Sequence, residues 1–143
     1  MSDMYPRGLQ GFLAAELDWS ASTSLDFKVQ LLNSHASGAF SGSDQDLADI
    51  NASAIYASGL TSALTSLTNT NGTADAGNPT ITALSQVGST TVSALLLYYA
   101  HASAASSLLI AHYDASSVTG LPLTPNGGDV TIQWHGSGAF KFS

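Results

Sequence analysis

Four histidines, ten acidic residues and many hydroxyls supply the residue types for metal binding or acid–base chemistry, so their spacing decides what they can do. His35, His101, His112 and His135 could converge on zinc or nickel, for which imidazole is a common ligand. None of them falls in an H-x-H or H-x-x-x-H pattern, and the sequence has no cysteine to complete a set. Histidines scattered through loops and strand ends read as hydrogen-bonded or solvated residues rather than ligands. His112 stands apart because it lies between Ala111 and Tyr113 in a run whose other residues look buried. Asp44, Asp46 and Asp49 resemble the start of a calcium loop, yet the turn glycine and the terminal bidentate Glu are missing. Capping of a short helix by Ser43 or Asp44, with the acids drawn to the positive end of the helix dipole, accounts for the same residues.

Hydrolysis would need a nucleophile, a base and an orienting acid. No G-x-S-x-G elbow occurs, and Gly136-Ser137-Gly138 reads as a flexible turn between two late strands. The expectation is a protein that is not an enzyme and that carries neither metal nor cofactor. Charge narrows the partners further. The formal net charge is −7, and the cations are Arg7, Lys28 and Lys141 alone, too few to neutralise a run of phosphates. Nucleic acid is therefore not an expected partner. Asn51-Ala52-Ser53 and Asn71-Gly72-Thr73 match the glycosylation sequon, a match expected by chance in so Asn- and Thr-rich a chain.

The elements that would position these residues follow from hydrophobic periodicity. Leu9, Phe12, Leu13 and Leu17 recur at helical spacing behind Pro6, which predicts a short N-terminal helix over residues 9–17. From Leu25 the period becomes two: Leu25, Phe27, Val29 and Leu31 share one face and Asp26, Lys28 and Gln30 the other, a half-buried strand. Ser43-Asp44-Gln45-Asp46 ahead of Leu47 and Ile50 predicts a second short helix or helical turn. Strands are expected over residues 60–67, 80–84, 91–99, 108–113, 130–134 and 139–142, punctuated by Asn71-Gly72, Gly77-Asn78-Pro79 and Pro125-Asn126-Gly127-Gly128. Leu95-Leu96-Leu97 alone would also suit a buried helix. Seven or eight short strands predict a mainly β, single-domain β-sandwich or jelly roll, residues 9–143, preceded by an N-terminal arm, residues 1–8.

A chain of 143 residues has the size of one domain and can bury roughly 68–70% of its unfolded surface. Its hydrophobic fraction of 44% is ordinary, but only 9% of residues are charged, against roughly 25% in a typical globular protein. Small neutral side chains must cover the surface, and these lose little rotamer entropy when pinned against a partner. Residues 92–111 carry no formal charge and have the length of a bilayer span. His101 and the small and hydroxyl residues that follow it argue instead for two strands and a turn, so no membrane is expected. The opening residues lack the basic start and apolar run of a secretory signal.

The C-terminal third carries Leu108-Leu109-Ile110-Ala111-His112-Tyr113-Asp114 and then Gly120-Leu121-Pro122-Leu123-Thr124-Pro125-Asn126-Gly127-Gly128-Asp129-Val130-Thr131-Ile132-Gln133-Trp134. This resembles small structural proteins encoded beside the capsid genes of tailed bacteriophages, in which an "IAY-D" strand precedes "GLPxTPNGGDhxhxW". The match covers about a quarter of the chain, and His112 departs from it mildly. The resemblance implies a virion component made in the host cytoplasm: a decoration, or cement, protein on the outer surface of the major capsid protein, acting as a homodimer or homotrimer. Met4, Tyr5 and Pro6 are the expected partner-binding residues, as an arm reaching a neighbour. Two other readings remain open on the sequence: a tail-associated protein, and a receptor- or carbohydrate-binding β-sandwich module using exposed Trp19, Trp134 and Tyr98-Tyr99.

Overall fold

A computed structural model describes residues 3–19 and 26–141. The chain is mainly β, and among the described residues it has one α-helix, α1 (Pro6–Leu13), and ten short strands: β1 (Asp3–Met4), β2 (Asp26–Asn33), β3 (Ile55–Leu60), β4 (Thr68–Thr70), β5 (Thr73–Asp75), β6 (Thr80–Ile81), β7 (Val92–Ala100), β8 (Leu108–Tyr113), β9 (Val130–Thr131) and β10 (Phe140–Lys141). Five of them form an antiparallel sheet in the order β1-β8-β7-β2-β3. Smaller sheets, β10-β5-β4 and β6-β9, supply the second layer of a β-sandwich-like domain.

The large sheet is buried on both faces. On one face Phe27, Val29, Leu31, Leu95, Leu97, Ile110 and Tyr113 join Ala74, Ile81, Leu84, Ile132 and Phe140 from the smaller sheets in the principal core. On the other, Leu32, Leu96, Tyr98 and Leu109 pack with Tyr5, Ile50 and Ala54 beneath a segment punctuated by 3-10 turns at Ala36–Gly38, Leu47–Asp49 and Ala52–Ala54. The near-continuous apolar run of β7, including Leu95-Leu96-Leu97, is what a strand covered on both sides requires. Residues 92–111 thus form β7, a 3-10 turn at Ala104–Ser106 and the start of β8. Among the described residues no helix is long and apolar enough to cross a membrane.

Several expectations shift. The helix begins at Pro6, which takes a first-turn position where a missing N–H is harmless, so the expected boundary at residue 8 falls inside it. Its buried face is Gly8 and Gly11, not the leucines: Leu13 is 81% exposed and Leu9 38%. At Gly8 a Cβ would lie 2.5 Å from the Leu109 carbonyl oxygen, so only glycine lets α1 settle on the β8 backbone. After the helix Ala15 turns left-handed (φ 58°), and Leu17 folds back into the core.

Phe27, Val29 and Leu31 share the predicted core face, whereas Leu25 lies outside the described residues. Gln30, expected in solvent, is buried, because β2 is an inner strand. Its amide nitrogen contacts the carbonyls of Tyr56 (2.8 Å), Gly59 (3.2 Å) and Leu31 (3.0 Å), filling the irregularity where β2 and β3 change register. The strand expected over residues 60–67 ends at Leu60. Beyond it the chain still runs beside β2, through Thr61 N–H to the Val29 carbonyl and Leu64 N–H to the Phe27 carbonyl. Asn71 (φ 51°) and Gly72 (φ 77°) close the β4–β5 hairpin with the two left-handed residues that a type I′ turn needs. The strands expected over residues 80–84 and 130–134 shorten to two-residue pairings; of the strand expected over 139–142, Phe140–Lys141 is paired and Phe142 lies outside the described residues.

Candidate functional site

The candidate contact residues Met4, Tyr5 and Pro6 lie against the chain's own β8. Asp3 pairs with His112 and Met4 with Ala111, and the Tyr5 N–H donates to the Ile110 carbonyl at 2.9 Å. Tyr5 is fully buried, its ring 4.9 Å from that of Phe40 and its hydroxyl without a hydrogen-bond partner among the described residues. Burial, and then the negative charges of Asp44 and Asp3, raise its pKa. Of the three residues, half-buried Met4 and exposed Pro6 reach the surface in this conformation.

The structure keeps the histidines apart. His112 is buried in β8, and its Nε2 lies 2.9 Å from the Gly38 carbonyl. His101 is exposed just beyond β7. His135 stands in the turn before β10, and its Nδ1 accepts the backbone N–H of Ser137 at 3.1 Å, so their contact is a turn hydrogen bond rather than a nucleophile–base pair. His35 lies in an exposed turn whose N–H is held by the Asn33 side chain. Among the described residues no three His, Asp or Glu side chains come together to hold a metal.

The Asp44–Asp49 segment is a cap, but not by the residues first expected. The 3-10 turn Leu47–Asp49 starts from Asp46, and the Asp49 carboxylate reaches back to accept the N–H groups of Gln45 (2.8 Å) and Asp46 (3.1 Å). Those bonds lower the Asp49 pKa. Asp44 is raised, chiefly by partial burial and then by the Asp49 charge. The Ser43 hydroxyl pairs with that of Ser41 instead (2.8 Å).

The stretch from Gly120 to Trp134 laces the second layer together. Leu123 exchanges two backbone bonds of 2.8 Å with Val92, and residues 127–128 bond both ways with Leu84. Asp129 accepts the Ala83 N–H at 2.9 Å, Thr131 pairs with the Thr80 hydroxyl at 2.8 Å, and the Trp134 indole donates to the Gly77 carbonyl at 3.1 Å. Just after β8, Asp114 accepts from the Ser116 hydroxyl and N–H and from the Ser117 hydroxyl, which lowers its pKa to about 2. These contacts join one stretch of chain to another. Trp19 and Tyr98 are buried, while Trp134 and Tyr99 are both half-buried, so these two are the aromatics of that set that reach the surface.

Two of the depressions among the described residues bear on a surface site. An apolar one of about 450 Å³ lies between Phe12, Leu17, Trp19 and Phe140. A polar one of about 430 Å³ is lined by Arg7, Glu16, Asp46, Tyr99, His101 and Ser106. Sequence reasoning missed the second because its residues come from α1, the following turn, residue 46 and the β7–β8 connection, with no shared motif. No known family profile matches the chain, and no curated protein matches it.

Proposed function

We propose that the protein is a virion structural protein, a decoration or cement protein that binds the outer surface of the major capsid protein of a tailed phage and stabilises the assembled head. The observation that carries this reading is the stretch from Gly120 to Trp134, which resembles the phage proteins and whose residues work here as internal lacing. The charge pattern supports the same placement. An acidic surface with three cations suits the outside of a shell and not the face that meets packaged DNA.

The mechanism is linkage. A protein that binds the expanded shell and not its open or dissociated forms stabilises it by the difference in binding free energy. If a dimer or trimer bridges neighbouring capsid subunits, its second contact forms at high effective concentration, so modest interfaces suffice. Met4 and Pro6, at the surface beside the β1 edge, are the candidate contacts of the arm region.

The deciding experiment adds the purified protein to heat-treated or stripped capsids and reads occupancy by cryo-electron microscopy together with the melting temperature of the shell. Symmetric density on the outer surface with a raised melting temperature is the expected result. Failure to bind shells, or density confined to the tail, overturns the reading.

A further inference from the structure

The polar cleft at the end of the large sheet has no part in the capsid reading, and its lining selects a ligand by chemistry. The Arg7 guanidinium donates from Nη2 to Glu16 at 2.6 Å, which matches its charge; its Nη1 is buried without a partner among the described residues, so a ligand would meet the second hydrogen of Nη2. Asp46 adds a second carboxylate, His101 an exposed imidazole and Ser106 a hydroxyl. Tyr99 forms one wall, half-exposed and braced from behind by Phe27 (ring centroids 5.6 Å apart), with the His101 ring 6.0 Å away at 50°.

A free anion entering this space would meet two carboxylates, and a free cation would meet the guanidinium. A neutral polyol uses both halves: its hydroxyls donate to Asp46 and Glu16 and accept from Arg7, while its C–H face lies on an aromatic ring. The volume of about 430 Å³ falls within the range of small-molecule sites and matches one or two sugar rings. We propose that this cleft is a carbohydrate site that takes a neutral sugar unit, held by hydroxyl hydrogen bonds from Arg7, Asp46 and His101 and by stacking on Tyr99. The site shares Tyr99 with the surface that a binding module would use, whereas Trp19 and Tyr98 of that surface are buried. It does not depend on where in a particle the protein sits.

The test is an NMR titration of the ¹⁵N-labelled full chain with glucose, galactose and N-acetylglucosamine, each taken to about 100 mM, well past the millimolar affinity that one small sugar commonly reaches. The expected result is saturable shifts at Tyr99, His101 and Ser106 with at least one of the three sugars. His101→Ala and Glu16→Gln, both at exposed positions, should each weaken that binding by about fivefold or more, a loss of one or two hydrogen bonds, while leaving the rest of the spectrum in place. Absence of saturable shifts in the cleft with all three sugars overturns the proposal. So do shifts that survive unchanged in both variants.

Discussion

His112 and Gly38, 74 residues apart in sequence, meet through the imidazole Nε2 and the Gly38 carbonyl oxygen at 2.9 Å. Since a carbonyl only accepts, Nε2 carries the proton, and Nδ1 is left buried with no partner among the described residues. This bond ties the segment covering one sheet face to the inner side of β8. His112→Leu keeps an apolar fill but leaves the carbonyl unpaired, and is expected to lower stability by about 1–3 kcal/mol in urea unfolding. An unchanged midpoint would mean that the carbonyl finds another donor.

Gln30 provides a sharper contrast, because its amide donates where a carboxylate cannot. Gln30→Leu should cost about 2–4 kcal/mol, since the Tyr56 and Gly59 carbonyls lose their side-chain donor inside the sheet. Gln30→Glu should be worse at pH 7 than at pH 4. Burial raises the folded-state pKa of the introduced acid, so stability is present at low pH and lost as pH rises through that value. Equal losses at both pH values would contradict the donor role.

Gly8→Ala should destabilise by about 1–3 kcal/mol despite the better helix propensity of alanine, because the added methyl meets β8 backbone that has no side chain to move. Gly42→Ala, where nothing lies within 4 Å, serves as the control and should change stability by less than about 0.5 kcal/mol. Thermal melts of the pair decide the matter.

Asp114 should titrate at about 2, followed through its carboxyl carbon resonance. Its folded pKa lies below the unfolded value of about 3.9, so its contribution is present above that value and disappears as pH falls towards about 2. The group is largely solvated, and the contribution should stay under about 1 kcal/mol. Ser116→Ala removes the hydroxyl whose hydrogen bond lowers the pKa most and should move the titration upward. A midpoint that stays in place in Ser116→Ala would place the cause elsewhere.

Period-two alternation located β2, and apolar runs of strand length located β7 and β8, because a paired strand stamps its burial on every second residue, or on all of them when both faces are covered. Asn71-Gly72 announced its hairpin by the left-handed backbone it permits. Hydrophobicity failed at α1, where the buried face is glycine and carries no apolar signal. It failed again at Gln30, whose burial depends on carbonyls supplied by another strand some 26 to 29 residues away. The cap was read two or three residues early, at Ser43 or Asp44 rather than Asp46, because Asp49 acts backwards along the chain. The polar cleft was illegible for a related reason: Arg7 and Glu16 meet Tyr99 and His101 only through tertiary packing.

The pairing of β1 with β8 carries a temporal consequence. Asp3 leaves the ribosome more than a hundred residues ahead of its partner His112. Likewise, Ala74 and Thr80 must wait for Phe140 and Thr131. The chain therefore cannot complete its sheets as it emerges, and Asp3 and Met4 must remain unpaired until β8 is available. Such distant pairings make for slow closure, so the nascent protein is exposed to misassociation in the interval, with its surplus of negative charge as the standing deterrent.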